Sequence, residues 1–425
     1  MRDDRRPRRA LGVIRRLLLT LAAALACAGP APAREIERPV VAAYYAASGD
    51  AARAAGVPAE KLTHLLYAFA PVCGEVLANA PAACRNAPRG AVALPGDPAS
   101  TREWAALKAL KRRNPRLRLL LSIGGWSMST YPGIVASPER RRVFVRSLAE
   151  MMRARPELDG VDVDWEFPGG GDAERPALTG AALPRERRDF AALLAELRAA
   201  LDGVATPDRP LALTAAVVGY ARAIEAVDWR RSAPLLDRVF VMAYDFTPER
   251  EFRRRGDFSG GGGLPGHHAN LHATPATGEF AAEAMIGNLV RAGVPVGKLV
   301  LGVGFYAREW KGADWSGGVH PVRASAGEFT GTTPWRELDL PGRFARGQRL
   351  RRDERAGATY LEGPGGAFVS FEDPRAICAK GRWAAEQGLG GLFAWEIGQD
   401  DGRLAAALAD AADGRCAPSR LNSTE

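Results

Sequence analysis

Metal-binding spacing is missing from this sequence. Its five cysteines, at positions 27, 73, 84, 378 and 416, form no C-x-x-C pair, and no H-E-x-x-H occurs. Neither a structural nor a hydrolytic zinc arrangement is therefore available, and no cofactor is implied. Past the first thirty or so residues there is no apolar run long enough to cross a bilayer, so no stable membrane span is expected. A large excess of one charge is absent too. The formal charge is +9, and residues 1–33, with seven Arg and two Asp, hold +5 of it. The remaining +4 is too small a surplus to point to nucleic acid, and it suits an uncharged polymer.

What is present is a chain of 425 residues, 47% hydrophobic and 25% charged, the composition of a globular protein. That length fits one α/β barrel of about 250 residues with insertions. Residues 1–33 read as an export signal. An Arg-rich start precedes the apolar run Leu17 to Ala28, and Ala31-Pro-Ala33 offers a small-x-small cleavage site. Secretion is the main reading. A periplasmic destination, a lipid anchor through Cys27 and a twin-arginine route at Arg8-Arg9 or Arg15-Arg16 are the alternatives. Without Cys27, an even set of four cysteines remains for an oxidising compartment. Cys73 and Cys84 flank a short loop and suit a bridge, and Cys378 with Cys416 follows by elimination.

The chain is organised around residues 158–169, Leu-Asp-Gly-Val-Asp-Val-Asp-Trp-Glu-Phe-Pro-Gly. Asp162, Asp164 and Glu166 are spaced by two, with Val161, Val163 and Trp165 between them. In a strand such positions share one face, so three carboxyl groups line one side of an element that should be buried. Like charges crowded away from water force at least one proton to stay on near neutrality. A carboxylic acid in that state can serve as a general acid.

Seven further runs read as strands: Val40–Ala46, His64–Val72, Leu117–Trp126, Leu211–Val218, Arg238–Phe246, Leu299–Ala307 and Gly391–Gly398. With Gly160–Phe167 they make eight, nearly continuously apolar as in a parallel sheet covered on both faces. Helical spacing marks Pro138–Ala154, Arg185–Leu201 and Phe280–Ala292. Eight such units predict an α/β fold, the (β/α)8 TIM barrel, spanning 34–416, with its site at the C-terminal strand ends. The connection before the last strand is too long for a bare loop, and 309–370 reads as a small α+β insertion between the seventh and eighth strands. Glu249–Ala276 reads as a long rim loop, and 417–425 as a disordered tail.

The stretch Asp159-Gly-Val-Asp162-Val-Asp164-Trp-Glu166 resembles the D-G-x-D-x-D-x-E signature of family 18 glycoside hydrolases, the chitinases. Ser122-Ile-Gly124-Gly125-Trp126 resembles the family's S-x-G-G motif, Met242-Ala-Tyr244-Asp245 its M-x-Y-D, and Tyr306-Ala-Arg308 its Y-G-R, with Ala307 in place of the glycine. Trp395 resembles the Trp that floors the site, and Tyr44, Phe69 and Trp126 could extend that lining. Where the family usually carries a Trp after the first strand, Ala47-Ser48 stand.

The resemblance implies that Glu166 is the acid and that the substrate's own acetamido group is the nucleophile. Asp164 would orient that group, Asp162 would share a proton with Asp164, and Tyr244 would bind the acetamido oxygen. It also implies that Met242, Asp245, Tyr306 and Arg308 handle substrate, and that the insertion walls a deep cleft. Chitin or N-acetylglucosamine oligosaccharides are the implied partners of a monomer. The competing readings are an endo-β-N-acetylglucosaminidase and a chitinase-like lectin. The first usually lacks the insertion, and the second lacks one or more of the acids. No repeat, coiled coil or separate carbohydrate-binding module is visible.

Overall fold

The computed structural model describes residues 38–74, 82–126, 130–170, 175–246 and 263–416. The expected export signal, Cys27 and the expected tail after 416 lie outside the described residues, as does most of the expected rim loop. Eight parallel strands close a barrel: β1 (Val40–Ala46), β2 (His64–Ala68), β3 (Arg118–Gly124), β4 (Gly160–Asp164), β5 (Ala212–Val217), β6 (Arg238–Val241), β7 (Leu299–Gly304) and β13 (Gly391–Trp395). The seam is β1 against β13, in the register Ala42↔Phe393. The strands are almost wholly buried, as a sheet covered on both faces must be.

The main helices begin where local chemistry tells them to. Asp97 caps α1 (Pro98–Arg113) by accepting from the Ala99 and Ser100 amides. Ser137 caps α2 (Pro138–Ala154), and each cap is followed by a proline at a position whose N–H would be unpaired anyway. α2 turns Phe144, Val145, Leu148 and Met152 into the core. α3 (Ala182–Asp202) and α4 (Ala282–Arg291) do the same with Leu194, Leu197, Met285 and Leu289. Asp373 caps α5 (Pro374–Gln387), which ends on Gly388 in the left-handed region. A Cys378–Cys416 disulfide ties α5 to the stretch after α6 (Arg403–Ala412), and Cys73–Cys84 closes the loop after β2. Among the described residues no helix is long and apolar enough to cross a membrane.

The strands stop earlier than their apolar patterns suggest. Phe69–Val72, Gly125-Trp126, Trp165–Phe167 and Met242–Phe246 all leave the ladder at its C-terminal edge. Apolar character alone cannot separate a strand residue from one that turns over the barrel mouth, since both are buried. Glu166 is thus past the end of β4 rather than in it, and only Asp162 and Asp164 share the inward face of the strand.

A second sheet is inserted between β7 and β13. Its five antiparallel strands run in the order β10-β11-β12-β8-β9. They are β8 (Tyr306–Asp314), β9 (Ala326–Pro334), β10 (Arg349–Asp353), β11 (Ala358–Gly363) and β12 (Ala367–Phe371). One face, with Leu361, Val369 and Phe371, joins the barrel's core. The other gathers Trp310, Tyr360 and Phe368 into a small core of its own. The described end of the expected rim loop is partly buried. His267, His268 and Asn270 are buried, and His267 lies against the rings of Tyr360 and Phe368.

Candidate active site

Three neighbouring strands, β3, β4 and β5, supply the polar layer of the barrel, and Tyr44 of β1 reaches it from beyond β2. Their register places Ser122 beside Asp162 and Asp162 beside Thr214. Asp162 is fully buried and accepts three hydroxyl hydrogen bonds: from Tyr44 at 2.9 Å, Ser122 at 2.7 Å and Thr214 at 2.6 Å. Burial raises its pKa, and the three donors offset part of that rise. Asp164, one step nearer the mouth, has no such company. Its Oδ1 is buried without a hydrogen-bond partner among the described residues. Its pKa is held well above the usual carboxylate range, first by burial and then by the charges of Glu166 and Asp162. Asp164 is therefore the carboxyl that keeps a proton most readily.

The two glycines of Ser122-Ile-Gly-Gly make this crowding possible. A Cβ on Gly124 would fall 1.7 Å from the Asp164 carbonyl oxygen, and one on Gly125 would meet the Phe69 ring at 2.4 Å. Both have positive φ, +134° and +88°, where a side chain is strained in any case. The Gly125 amide then donates to the Asp164 carbonyl at 2.9 Å.

Glu166, half-buried, stands above these acids, and Phe167 beside it packs edge-on to Trp126 at 6.2 Å. The Trp126 ring is 45% exposed at the mouth. Trp395 floors the opposite side, stacked on Phe69 at 5.7 Å and tilted against Tyr44 at 5.5 Å. Tyr244 is buried, and its hydroxyl is pushed up by burial and then by Asp164 and Glu166, which places it beside the acids. Met242 is buried at the foot of the same loop. Asp245 adopts φ +58° and accepts from Arg308 Nη1 at 2.8 Å. Tyr306 packs edge-on to Tyr244 at 6.3 Å. The structure thus brings all thirteen expected site residues to one end of the barrel.

Sequence reasoning passed over Thr214 and Glu396. Thr214 could have been found as the lone hydroxyl in the apolar run Leu-Ala-Leu-Thr-Ala-Ala. Glu396 follows Trp395 and is buried. It accepts from the Gly398 amide at 2.9 Å and from Arg53 at 2.5 Å, so it anchors the turn that carries the Trp395 ring. Its partner Arg53 lies far away in sequence, and no local signal announces it. No group of three or more His, Cys, Asp or Glu that could hold a metal occurs among the described residues.

Known proteins are similar to this chain. Chitinase A of Pseudoalteromonas piscicida is 31% identical over 83% of this chain, and the chain spans about half of that relative, 49%. A probable endochitinase of Orgyia pseudotsugata multicapsid polyhedrosis virus is 31% identical over 87% of this chain and 71% of its own length. The crystal structure of a GH18 chitinase from Cycas revoluta in complex with (GlcNAc)3 matches with a TM-score of 0.69 and 26% identity, covering 88% of this chain and 99% of that one. Residues 40–400, the whole barrel with its insertion, match the glycosyl hydrolases family 18, and the chain belongs to that family.

Proposed function

We propose that this protein is a secreted chitinase that cleaves β-1,4-linked N-acetylglucosamine polymers with retention of configuration, using the substrate's acetamido group as nucleophile. The observation that carries this reading is the stack at the end of β4. A half-buried Glu166 stands over Asp164, whose buried oxygen has no hydrogen-bond partner among the described residues, with a protonatable Asp162 behind. Most retaining glycosidases place a second carboxylate as nucleophile, and family 18 uses the substrate instead.

Each step uses a group of this chain. Glu166 gives its proton to the glycosidic oxygen as the bond from C1 to that oxygen breaks. The acetamido carbonyl oxygen attacks C1 from the other face and closes an oxazolinium ring. Asp164 accepts the acetamido N–H with its free oxygen and balances the ring's positive charge. Asp162 takes up the proton it shares with Asp164 as the charge develops, which leaves Asp164 anionic. The Tyr244 hydroxyl donates to the acetamido oxygen. Glu166 then takes a proton from water, which opens the ring at C1 and restores the original configuration. The stacked faces of Trp395 and Phe69 suit the C–H face of a pyranose.

The inserted sheet, which supplies Arg308 at the mouth, favours a polymer cleft over an N-glycan enzyme. The presence of Glu166 favours catalysis over a lectin role. Two disulfides support export to an oxidising compartment. The test is a time course on N-acetylglucosamine hexamer followed by mass spectrometry and proton NMR. Shorter N-acetylated products released first as the β-anomer support the reading. Release as the α-anomer, or no cleavage, refutes it.

A further inference from the structure

Two chain segments meet at the sugar-handling side of the mouth. One leaves β6 through Tyr244, Asp245 and Phe246, and the other leaves β7 through Gly304 to Tyr306 and Arg308. The Asp245–Arg308 pair joins them at 2.8 Å, yet the Asp245 side chain is 47% exposed, and a pair so wet holds little by itself.

Behind that pair lies a dry polar cluster that the mechanism does not use. His268 is fully buried. Its amide donates to Ser370 Oγ at 3.0 Å, and its carbonyl accepts from the Phe246 amide at 2.9 Å. Its ring lies 5.2 Å from that of Tyr306, and its Nδ1 is 3.9 Å from Asp245 Oδ1. Neither ring nitrogen has a hydrogen-bond partner among the described residues. Next to it, Glu372 and Lys380, 2% and 1% exposed, pair at 2.7 Å. Glu372 also accepts the Gly304 amide at 2.8 Å, and a Cβ on Gly304 would touch both Tyr306 and the His268 ring. One cluster therefore grips the exit of β6, the exit of β7 and the return from the inserted sheet.

We propose that His268, backed by the buried Glu372–Lys380 pair, is a positioning element that sets Asp245, Tyr306 and Arg308 for sugar binding and takes no part in proton transfer. Apolar residues could fill the same junction without desolvating two charges and an imidazole, so packing alone does not account for the choice. Burial holds the His268 pKa down at about 3, so the ring stays neutral and does not repel Arg308 or Lys380. A neutral imidazole beside Asp245 leaves the carboxylate to Arg308 and the sugar, while its face fixes the Tyr306 ring.

This inference deepens the chitinase reading and rests on it, so its test has two arms. In a Glu166→Gln parent, binding of N-acetylglucosamine tetramer is measured by calorimetry with melting followed in parallel. His268→Ala is expected to weaken binding by about tenfold, because Asp245, Tyr306 and Arg308 lose the ring that sets them, with the protein still folded at the assay temperature. His268→Gln, which keeps a polar head, restores most of the affinity. The second arm reads amide hydrogen exchange over residues 304–309 without sugar, which His268→Ala should speed up. If His268→Ala does not fold, His268→Gln and a Glu372→Gln/Lys380→Gln double variant carry both readouts. Parental affinity together with parental exchange in a folded variant overturns the proposal. A parent that fails to bind the tetramer overturns the chitinase reading, and the exchange arm then decides on positioning alone.

Discussion

The two ends of β4 carry acids of one motif in opposite circumstances. At its start, Asp159 accepts the Leu119 amide at 2.6 Å and sits against the Lys111 ammonium, its charge fully answered. At its end, Asp164 is buried with an oxygen unpaired among the described residues and two other carboxyl groups close enough to raise its pKa further than burial alone does. Both are aspartates in the same stretch, Asp159 to Asp164. The first stitches β3 to β4, and the second is left in a state that costs stability. Buried polar groups in folded proteins are normally satisfied, so the exception marks where chemistry rather than folding has chosen the residue.

The comparison can be sharpened by substitution. The largest effect should come just past the strand end, where Glu166→Gln removes the proton donor but keeps its shape. Turnover of a chitin oligomer should fall by at least about 100-fold, the lower bound of a general-acid contribution, while oligomer binding survives. Near-normal turnover would remove Glu166 from its role. At the strand start, Asp159→Asn should behave differently. It leaves Lys111 half-buried without its anion and should lower stability by about 1–3 kcal/mol in urea unfolding. Activity per folded molecule should change little, and a large loss of kcat there would erase the contrast between the two ends.

The smallest effect has the opposite sign. Asp164→Asn removes the cost of burying an ionisable carboxyl, and with it the repulsion from Glu166 and Asp162, and should raise Tm at neutral pH by about 2 °C, the shift produced by 1 kcal/mol in a large domain, while activity falls. The sign follows from a folded pKa above the unfolded one. The wild type then binds more protons when folded, so its stability is fullest below the unfolded pKa of about 4 and is lost as pH rises through the raised value. Below about pH 4 the two proteins should melt together, and a lower Tm for the variant at pH 7 would contradict the cost assigned to burying the Asp164 carboxyl.

Much of this was legible in the sequence, because the barrel depends on short-range pattern. Eight apolar runs, the alternation of Asp162 and Asp164, and the glycines at 124 and 125 each state a local requirement that the fold then meets. What escaped was what depends on distant partners. The ladder ends at Ala68, Asp164 and Val241 rather than at the last apolar residue, because the following residues turn inward over the mouth. The Glu396–Arg53 contact spans 343 residues, and the burial of His268 depends on a sheet that begins almost forty residues later. The inserted sheet itself starts at Tyr306, inside what reads as the seventh strand, because the end of β7 and the start of β8 are both apolar and only Phe305 separates them.

The central claim is that the substrate's own acetamido group attacks C1, with Asp164 as its partner. The most direct measurement compares initial rates on fully N-acetylated and fully deacetylated oligomers of equal length, with the cleaved position read by mass spectrometry. Cleavage should occur only where the sugar on the non-reducing side of the bond carries an N-acetyl group, and the deacetylated oligomer should remain intact. Equal rates on the two oligomers would show that a nucleophile other than the acetamido oxygen is at work and would contradict this account.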